Sequence, residues 1–146
     1  MEALISQKVF LKRIPEIDGW GVFTKERIQA GDCIETSPVF LYPKRLIDLA
    51  IFVSMGEGIK DSEIGIDRYA VMWGTDERGV STAAIMLGYL SLYNHSNKNN
   101  SQFVVDTKNK LAHVVAISDI EADEQITVSY GPDWFKQKSY INYIEF

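Results

Sequence analysis

The sequence predicts a mainly β fold. Short apolar runs recur along most of the chain at a spacing of roughly eight to twelve residues, and Gly, Asp or Pro separates them, as in strands joined by tight turns. The 146 residues are a single-domain length, and such a chain buries roughly two thirds of its unfolded surface. We therefore expect one domain over 1–146, with a core over about 9–135 and an aromatic C-terminal tail at 136–146.

The strands expected in the first half of the chain combine alternating or β-branched apolar residues with turn residues at their ends. They span 7–14, 22–24, 33–36 and 39–42. A short helix is expected at 44–55, where the apolar residues lie close to a helical stripe, and Gly56 and Gly58 would end it.

In the second half, 67–73 is expected to be a strand, and 103–106 and 111–116 read as a hairpin. A polar turn after 120 leads into a strand that ends on Tyr130. The segment 82–92 is apolar and Ala-rich, and its periodicity allows either a short helix or a buried extended segment.

Composition excludes several classes of protein. The single cysteine, Cys33, excludes an internal disulfide and any multi-cysteine zinc site, and two histidines are too few for a metal cluster, so no metal is expected. The net charge of −5 disfavours direct nucleic-acid binding; it suits a basic protein partner, or serves solubility alone. No apolar run spans a membrane, and the first residues lack a signal-peptide pattern, so we expect a soluble intracellular protein.

Three short motifs carry the candidate chemistry, and each has a purely structural alternative. Gly19-Trp20-Gly21 lets backbone approach a ligand closely, or forms a tight turn. Asn94-His95 braces a loop or contributes to a site. Tyr130, at a strand end, is a core or turn tyrosine when taken by itself.

Together and in this order, the motifs resemble those of the SET-domain protein lysine methyltransferases. The segment 19–23 is similar to the family's N-terminal cofactor motif, 94–100 to its Asn-His-Ser-Cys-x-Pro-Asn motif, and 123–131 to its Gly-Glu-Glu-Leu…Tyr-Gly motif. The likeness runs from about 9 to 135 and is closest to the minimal viral and bacterial members, which lack zinc-binding flanks. The residues that depart from the family pattern are Asn97 for Cys, Asn99 for Pro, Asp123 for Gly and Ser129 for Asp or Asn.

This resemblance implies a fold of small curved β-sheets with short helices and a C-terminal pseudoknot-like threading, which brings the Asn-His segment beside the Tyr130 strand. It also implies methyl transfer from S-adenosylmethionine, without a metal, to a lysine of a basic protein, with a histone tail as one candidate. A homodimer is compatible with the aromatic tail. The protein would act in the cytoplasm, or in the host nucleus if it is viral.

The reaction sets the roles that the resemblance implies. In-line attack by an amine depends mostly on positioning, and the lysine, with a free pKa near ~10.4, must be neutral, so a strong general base is not required. Tyr130 is the expected catalytic residue and also borders the cofactor. The other expected cofactor residues are Trp20, Gly21, Asn94, His95, Trp134 and Phe135.

Trp20, Tyr69 and Tyr93 are the candidates for walls of a lysine channel, because aromatic faces attract methylated ammonium groups. For Tyr69 and Tyr93, core packing is an equal alternative. Two other functions remain open from the sequence: a non-catalytic SET-like protein-interaction module, which the departures at Asn97, Asn99 and Ser129 would support, and a small acidic β-domain without a cofactor site.

Overall fold

A computed structural model describes residues 4–58 and 69–131. Within these ranges the chain forms ten strands, one α-helix and two single-turn 3₁₀ helices, Pro15–Ile17 and Leu90–Leu92. The helix, α1, spans Lys44–Gly56. The strands are β1 (Leu4–Ile5), β2 (Val9–Ile14), β3 (Gly19–Thr24), β4 (Cys33–Pro43), β5 (Ala70–Thr75), β6 (Ser81–Met86), β7 (Asn94–His95), β8 (Ser101–Asp106), β9 (Leu111–Ala116) and β10 (Thr127–Val128). The mainly β fold predicted from the sequence is confirmed.

β2 and β3 form an antiparallel hairpin in register from Val9↔Thr24 to Ile14↔Gly19. The connection is the 3₁₀ turn closed by Asp18, whose φ of 47° is left-handed and whose N–H donates to the Pro15 carbonyl. Asp tolerates this conformation because its short polar side chain bonds locally. Gly19 and Gly21 therefore lie in a strand rather than in a tight turn.

β4 is the central strand, and it changes partner along its length. Its first half, Cys33 to Pro38, pairs with β9, and its second half, Val39 to Pro43, pairs with β6. The two strands expected on either side of Pro38 are thus one strand. Since proline has no N–H to donate to a ladder, the change of partner falls at a natural position. The full order is β5-β6-β4-β9-β8, with β1 also paired to β4.

The Ala-rich segment that periodicity left open is extended and then turns. β6 lies between β4 and β5 and buries Thr82, Ala83 and Ala84, so no polar alternation marks it as a strand. The 3₁₀ turn Leu90–Leu92 follows it. The strand expected at 67–73 begins at Ala70 in the described part of the chain.

α1 begins at the predicted residue, Lys44, ends one residue beyond the predicted range and packs against β4 and β6. Ile47 is buried, whereas Leu46, Leu49, Phe52 and Val53 are each about half exposed or more. Among the described helices, none has the length and apolar character needed to cross a bilayer.

The two shortest strands bring the motifs together. β7 and β10 pair in parallel, with Thr127 opposite Asn94 and Val128 opposite His95. The N–H of Ile126 donates to the Val22 carbonyl of β3, and that of Ser96 donates to the Val128 carbonyl. This confirms the juxtaposition of the Asn-His segment and the strand before Tyr130. Val22, Ile126 and Val128 are fully buried and continue the main core beneath it.

Candidate active site

The site begins where β3, β7 and the approach to β10 meet. The Asn94 side chain donates from Nδ2 to the Trp20 carbonyl, at 3.1 Å, and to Oε1 of Gln125, also at 3.1 Å. Because a backbone carbonyl can only accept, the amide NH₂ must face β3, and Oδ1 faces away from it. One asparagine thereby ties three chain segments together.

Gly21 is required at this junction by a lack of space. A Cβ added there would lie 2.4 Å from Oε1 of Gln125, 2.7 Å from Cδ1 of Ile14 and 3.0 Å from Nδ2 of Asn94. The close approach that the sequence predicted for Gly21 is thus made by the Asn94 and Gln125 side chains.

His95 is buried and its tautomer follows from its neighbours. The Tyr130 backbone N–H donates to Nδ1 at 3.0 Å, so Nδ1 carries no proton and Nε2 does. Nε2 lies 3.3 Å from Oδ1 of Asn97, which accepts. The His95 and Tyr130 rings are also in contact, with centroids 5.6 Å apart. His95 therefore orients the backbone of Tyr130.

Tyr130 is partly buried, and its hydroxyl donates to the backbone carbonyl of Tyr93. Burial raises the pKa of Tyr130 well above its usual range, and the nearby Tyr69 raises it further. The phenol is therefore neutral at physiological pH and acts as an oriented donor and acceptor rather than as a base. Tyr69 is 46% exposed and interacts electrostatically with the Tyr130 phenol.

Trp20 contributes its backbone to the site more directly than its ring. Its carbonyl accepts from Asn94, while its indole is 47% exposed and carries the Arg13 guanidinium over one face at 5.9 Å. Arg13 is also paired with Asp18.

Tyr93 is fully buried, which is the packing alternative that the sequence left open. Its ring meets Phe103 edge to face and its hydroxyl donates to Oε2 of Glu35 at 2.9 Å. Its side chain consequently offers no open surface to a substrate. Its part in the site is the carbonyl that holds Tyr130.

Sequence reasoning assigned no role to Asn100 and Ser101, which fasten the loop after β7 to β10. Nδ2 of Asn100 donates to the Gln125 carbonyl and its Oδ1 accepts from the Thr127 N–H, both at 2.9 Å. Oγ of Ser101 donates to the Thr127 carbonyl at 2.8 Å. The one available signal was the place of Asn100 at the end of the Asn-His-Ser motif.

The departures from the family pattern fit the local structure. Asn97 accepts from His95, Asn99 donates to the Ser101 carbonyl, and Oγ of Ser129 accepts from the Gly131 N–H. Asp123 has a φ of 66°, the left-handed conformation that a glycine at this turn would also adopt. None of the four disrupts the described site.

Trp134 and Phe135, expected to stack on adenine, lie outside the described residues. Among residues 4–58 and 69–131, no three His, Cys, Asp or Glu side chains are grouped as metal ligands.

Small curled sheets, with a tyrosine following the paired strands β7 and β10, are the fold of the SET type of protein-lysine methyltransferase. The SET-domain profile matches residues 19–131, and the chain belongs to the SET-domain family. It is 27% identical, over 87% of its length and 77% of the relative, to the histone-lysine N-methyltransferase of Schizosaccharomyces pombe that is specific for H3 lysine 37. A crystal structure of a candidate histone methyltransferase from Plasmodium falciparum matches with a TM-score of 0.60 at 24% identity. That match covers 90% of this chain and 99% of the other, and it bears on the fold. Enzymes of this family use S-adenosylmethionine as methyl donor.

Proposed function

We propose that this enzyme methylates a lysine in a histone tail, with Tyr130 as the catalytic residue. The observation that carries the proposal is the Tyr130 hydroxyl, fixed on the Tyr93 carbonyl beside the paired strands β7 and β10. The histone specificity of the S. pombe relative and the net charge of −5, which suits a basic peptide, support the substrate class. A histone substrate would place the enzyme in the nucleus or the cytoplasm.

The side-chain oxygen of Asn94 fits the methionine end of S-adenosylmethionine. Both amide hydrogens of Asn94 are used on β3 and Gln125, and no described residue donates to its Oδ1, which is accessible. An accessible carbonyl oxygen accepts from an ammonium group such as that of the methionine moiety. In this proposal the Trp20–Gly21 backbone flanks the same end, and His95 borders the adenine. Trp134 or Phe135 covers the adenine, an assignment that rests on the family resemblance alone.

The bound cofactor supplies an electrophilic methyl group on a sulfonium, and this chain supplies orientation. Transfer would form an N–C bond at the lysine nitrogen as the C–S bond of the donor breaks, with the electron pair left on sulfur and the amine proton lost to water. Because the Tyr130 hydroxyl donates its hydrogen bond to the Tyr93 carbonyl, its oxygen acts as an acceptor towards the amine and the methyl group. Alignment of this kind accounts for up to ~7–11 kcal/mol of a barrier.

Tyr69 is the better supported wall of the lysine channel, because it interacts electrostatically with Tyr130 and is partly exposed. An aromatic face there suits a methylated ammonium. For Trp20, Arg13 already covers one face of the indole, so its ring has only the other face for a substrate.

The test is transfer of label from isotopically labelled S-adenosylmethionine to histones by the full chain. We expect labelled histone, identified by site with mass spectrometry, and in Tyr130→Phe a rate at least about tenfold lower or a changed methylation state, since alignment is lost. Tyr42→Phe, an exposed tyrosine on β4, is the matched control and should retain activity.

If the protein is folded and binds the cofactor but transfers no label to histones, histones are rejected as the substrate class. Equal rates and equal methylation states for Tyr130→Phe and the native chain would remove Tyr130 from the catalytic role.

A further inference from the structure

Tyr93 joins the buried interior to Tyr130 through its two ends. At one end, the side-chain hydroxyl donates to Oε2 of Glu35 at 2.9 Å. At the other end, the backbone carbonyl accepts from the Tyr130 hydroxyl. The position of that carbonyl is therefore tied to a carboxylate on β4 that the proposed mechanism does not itself use.

Glu35 is in turn held from two directions. It is fully buried, and its Oε1 accepts from Oγ of Ser37 at 2.7 Å and from the Tyr89 N–H at 2.8 Å. Gly88 leaves room for this group: a Cβ there would lie 2.2 Å from Oε1 of Glu35 and 2.4 Å from Oγ of Ser37. Gly88 also has a left-handed φ of 65°, which a glycine adopts without strain. β4 and the segment before the Leu90–Leu92 turn together fix the carboxylate.

Packing alone does not account for a carboxylate at this place. Among the described residues no basic side chain pairs with Glu35, and a buried carboxylate without a cation is costly even when hydrogen-bonded. A phenylalanine at position 93 would still fill the core against Phe103. The hydroxyl of Tyr93 and the carboxylate of Glu35 are thus used to fix an orientation rather than to fill volume.

We propose that Glu35 and Tyr93 are positioning residues for methyl transfer, which hold the Tyr93 carbonyl so that it orients the Tyr130 hydroxyl. This inference rests on the proposed function of Tyr130. Loss of the Glu35–Tyr93 contact releases the ring end of Tyr93 and lets its carbonyl move. Because a misplacement of about 1 Å costs up to ~10²-fold in rate, a small movement is sufficient to matter.

The experiment compares Tyr93→Phe, Tyr130→Phe and the double variant in the full chain. We expect kcat of Tyr93→Phe to fall about tenfold, with KM for S-adenosylmethionine unchanged, because only alignment is affected. In the Tyr130→Phe background the same change should have no further effect, since coupled residues are non-additive. The matched control is Thr36→Val, which should retain kcat. Thr36 follows Glu35 on β4, and the change removes its part-buried hydrogen bond to His113.

A second measurement does not depend on activity. The NMR signals of the Tyr130 ring, assigned by their loss in Tyr130→Phe, should shift in Tyr93→Phe and stay in place in Thr36→Val. If Tyr93→Phe does not fold, Glu35→Leu takes its place, because it removes the acceptor of the Tyr93 hydroxyl while keeping a side chain of similar size at position 35.

The positioning role would be overturned if the losses in kcat of the two single variants multiply in the double variant. It would also be overturned if the Tyr130 NMR signals do not shift in Tyr93→Phe. A native chain that binds S-adenosylmethionine but methylates no protein would overturn the proposed function instead, and the Tyr130 signals would then decide the positioning role by themselves.

Discussion

Asn94 uses its amide in two directions, and this determines what its substitution should do. Its NH₂ group fixes β3 against Gln125, and its oxygen is directed away from them. We expect Asn94→Ala to weaken S-adenosylmethionine binding about tenfold or more, because hydrogen bonds to charged groups contribute ~1.5–3 kcal/mol. Titration calorimetry measures the change in Kd.

The matched control is Asn109→Ala, an exposed turn asparagine bonded to Asp106. Its Kd should equal that of the native chain. An unchanged Kd in folded Asn94→Ala would exclude Asn94 from the cofactor site.

Gly21 gives a second prediction at the scale of one residue. In Gly21→Ala, the new methyl group would lie within 3.0 Å of Gln125, Ile14 and Asn94, so at least one of them must move. We expect the free energy of unfolding to fall by about 1–3 kcal/mol, as for other overpacked sites. Denaturant unfolding measures the loss, and cofactor affinity should fall with it because the Gln125 amide, which accepts from Asn94, is the most crowded neighbour.

Gly56→Ala is the corresponding control, since a Cβ there meets no heavy atom within 4 Å and the residue is helical. Its stability should be unchanged or slightly higher. Equal effects at the two glycines would contradict the steric argument.

At the scale of elements, the pair β7–β10 is too short to persist by itself. Two residues on each strand give few ladder bonds, and isolated two-stranded pairs are marginal in water. Asn100 and Ser101 supply the missing connection through three side-chain bonds to the backbone of Gln125 and Thr127. The loop after β7 is therefore part of what holds Tyr130 in place.

Asn100→Ala should destabilise the fold by about 1–3 kcal/mol, since it leaves the Thr127 N–H without its acceptor. Denaturant unfolding compared with Asn109→Ala isolates this contribution, because the Asn109 contacts are exposed. Equal losses in the two variants would show that the loop is not fastened by Asn100.

The sequence was informative where the cause of structure is local. The stripe in α1, the hairpin β8–β9 and the turn at Asp123 follow from nearby residues, and all three are present. Periodicity could not identify β6. This strand is paired on both edges and its consecutive alanines are buried, so apolar and polar residues do not alternate along it. The pairing of β7 with β10 was expected only through the family resemblance.

The contacts between Glu35 and Tyr93 were not predictable, since they join residues 58 positions apart. In sequence, Glu35 is one acidic residue in a strand, and Tyr93 is one aromatic before Asn94. The burial that distinguishes both arises only when β4, β6 and β9 assemble around them. Side chains whose role depends on such assembly leave no local pattern.

At the scale of the whole molecule, a buried acid in an acidic protein makes stability depend on pH in a defined direction. Burial raises the pKa of Glu35 above its ordinary value of 4.5, and the hydrogen bonds from Ser37, Tyr89 and Tyr93 only partly oppose this. The folded state therefore keeps the Glu35 proton to a higher pH than the unfolded state does. Below pH 4.5 both states hold the proton, so Glu35 contributes its full stability there.

As the pH rises from 4.5 through the raised pKa, the unfolded state loses the proton first, and the native chain loses stability. The variant Glu35→Gln has no titratable group at position 35, but it keeps every other acidic residue of the native chain. The difference in unfolding free energy between native chain and variant thus isolates Glu35. We expect the native chain to become less stable relative to Glu35→Gln as the pH rises. Denaturant unfolding at a series of pH values measures this change. A difference that is constant with pH would mean that the hydrogen bonds balance burial. A difference that moves in favour of the native chain would mean that they outweigh it, and the carboxylate would then be held as an anion by its hydrogen-bond donors, with its charge stabilising the packing around Tyr93.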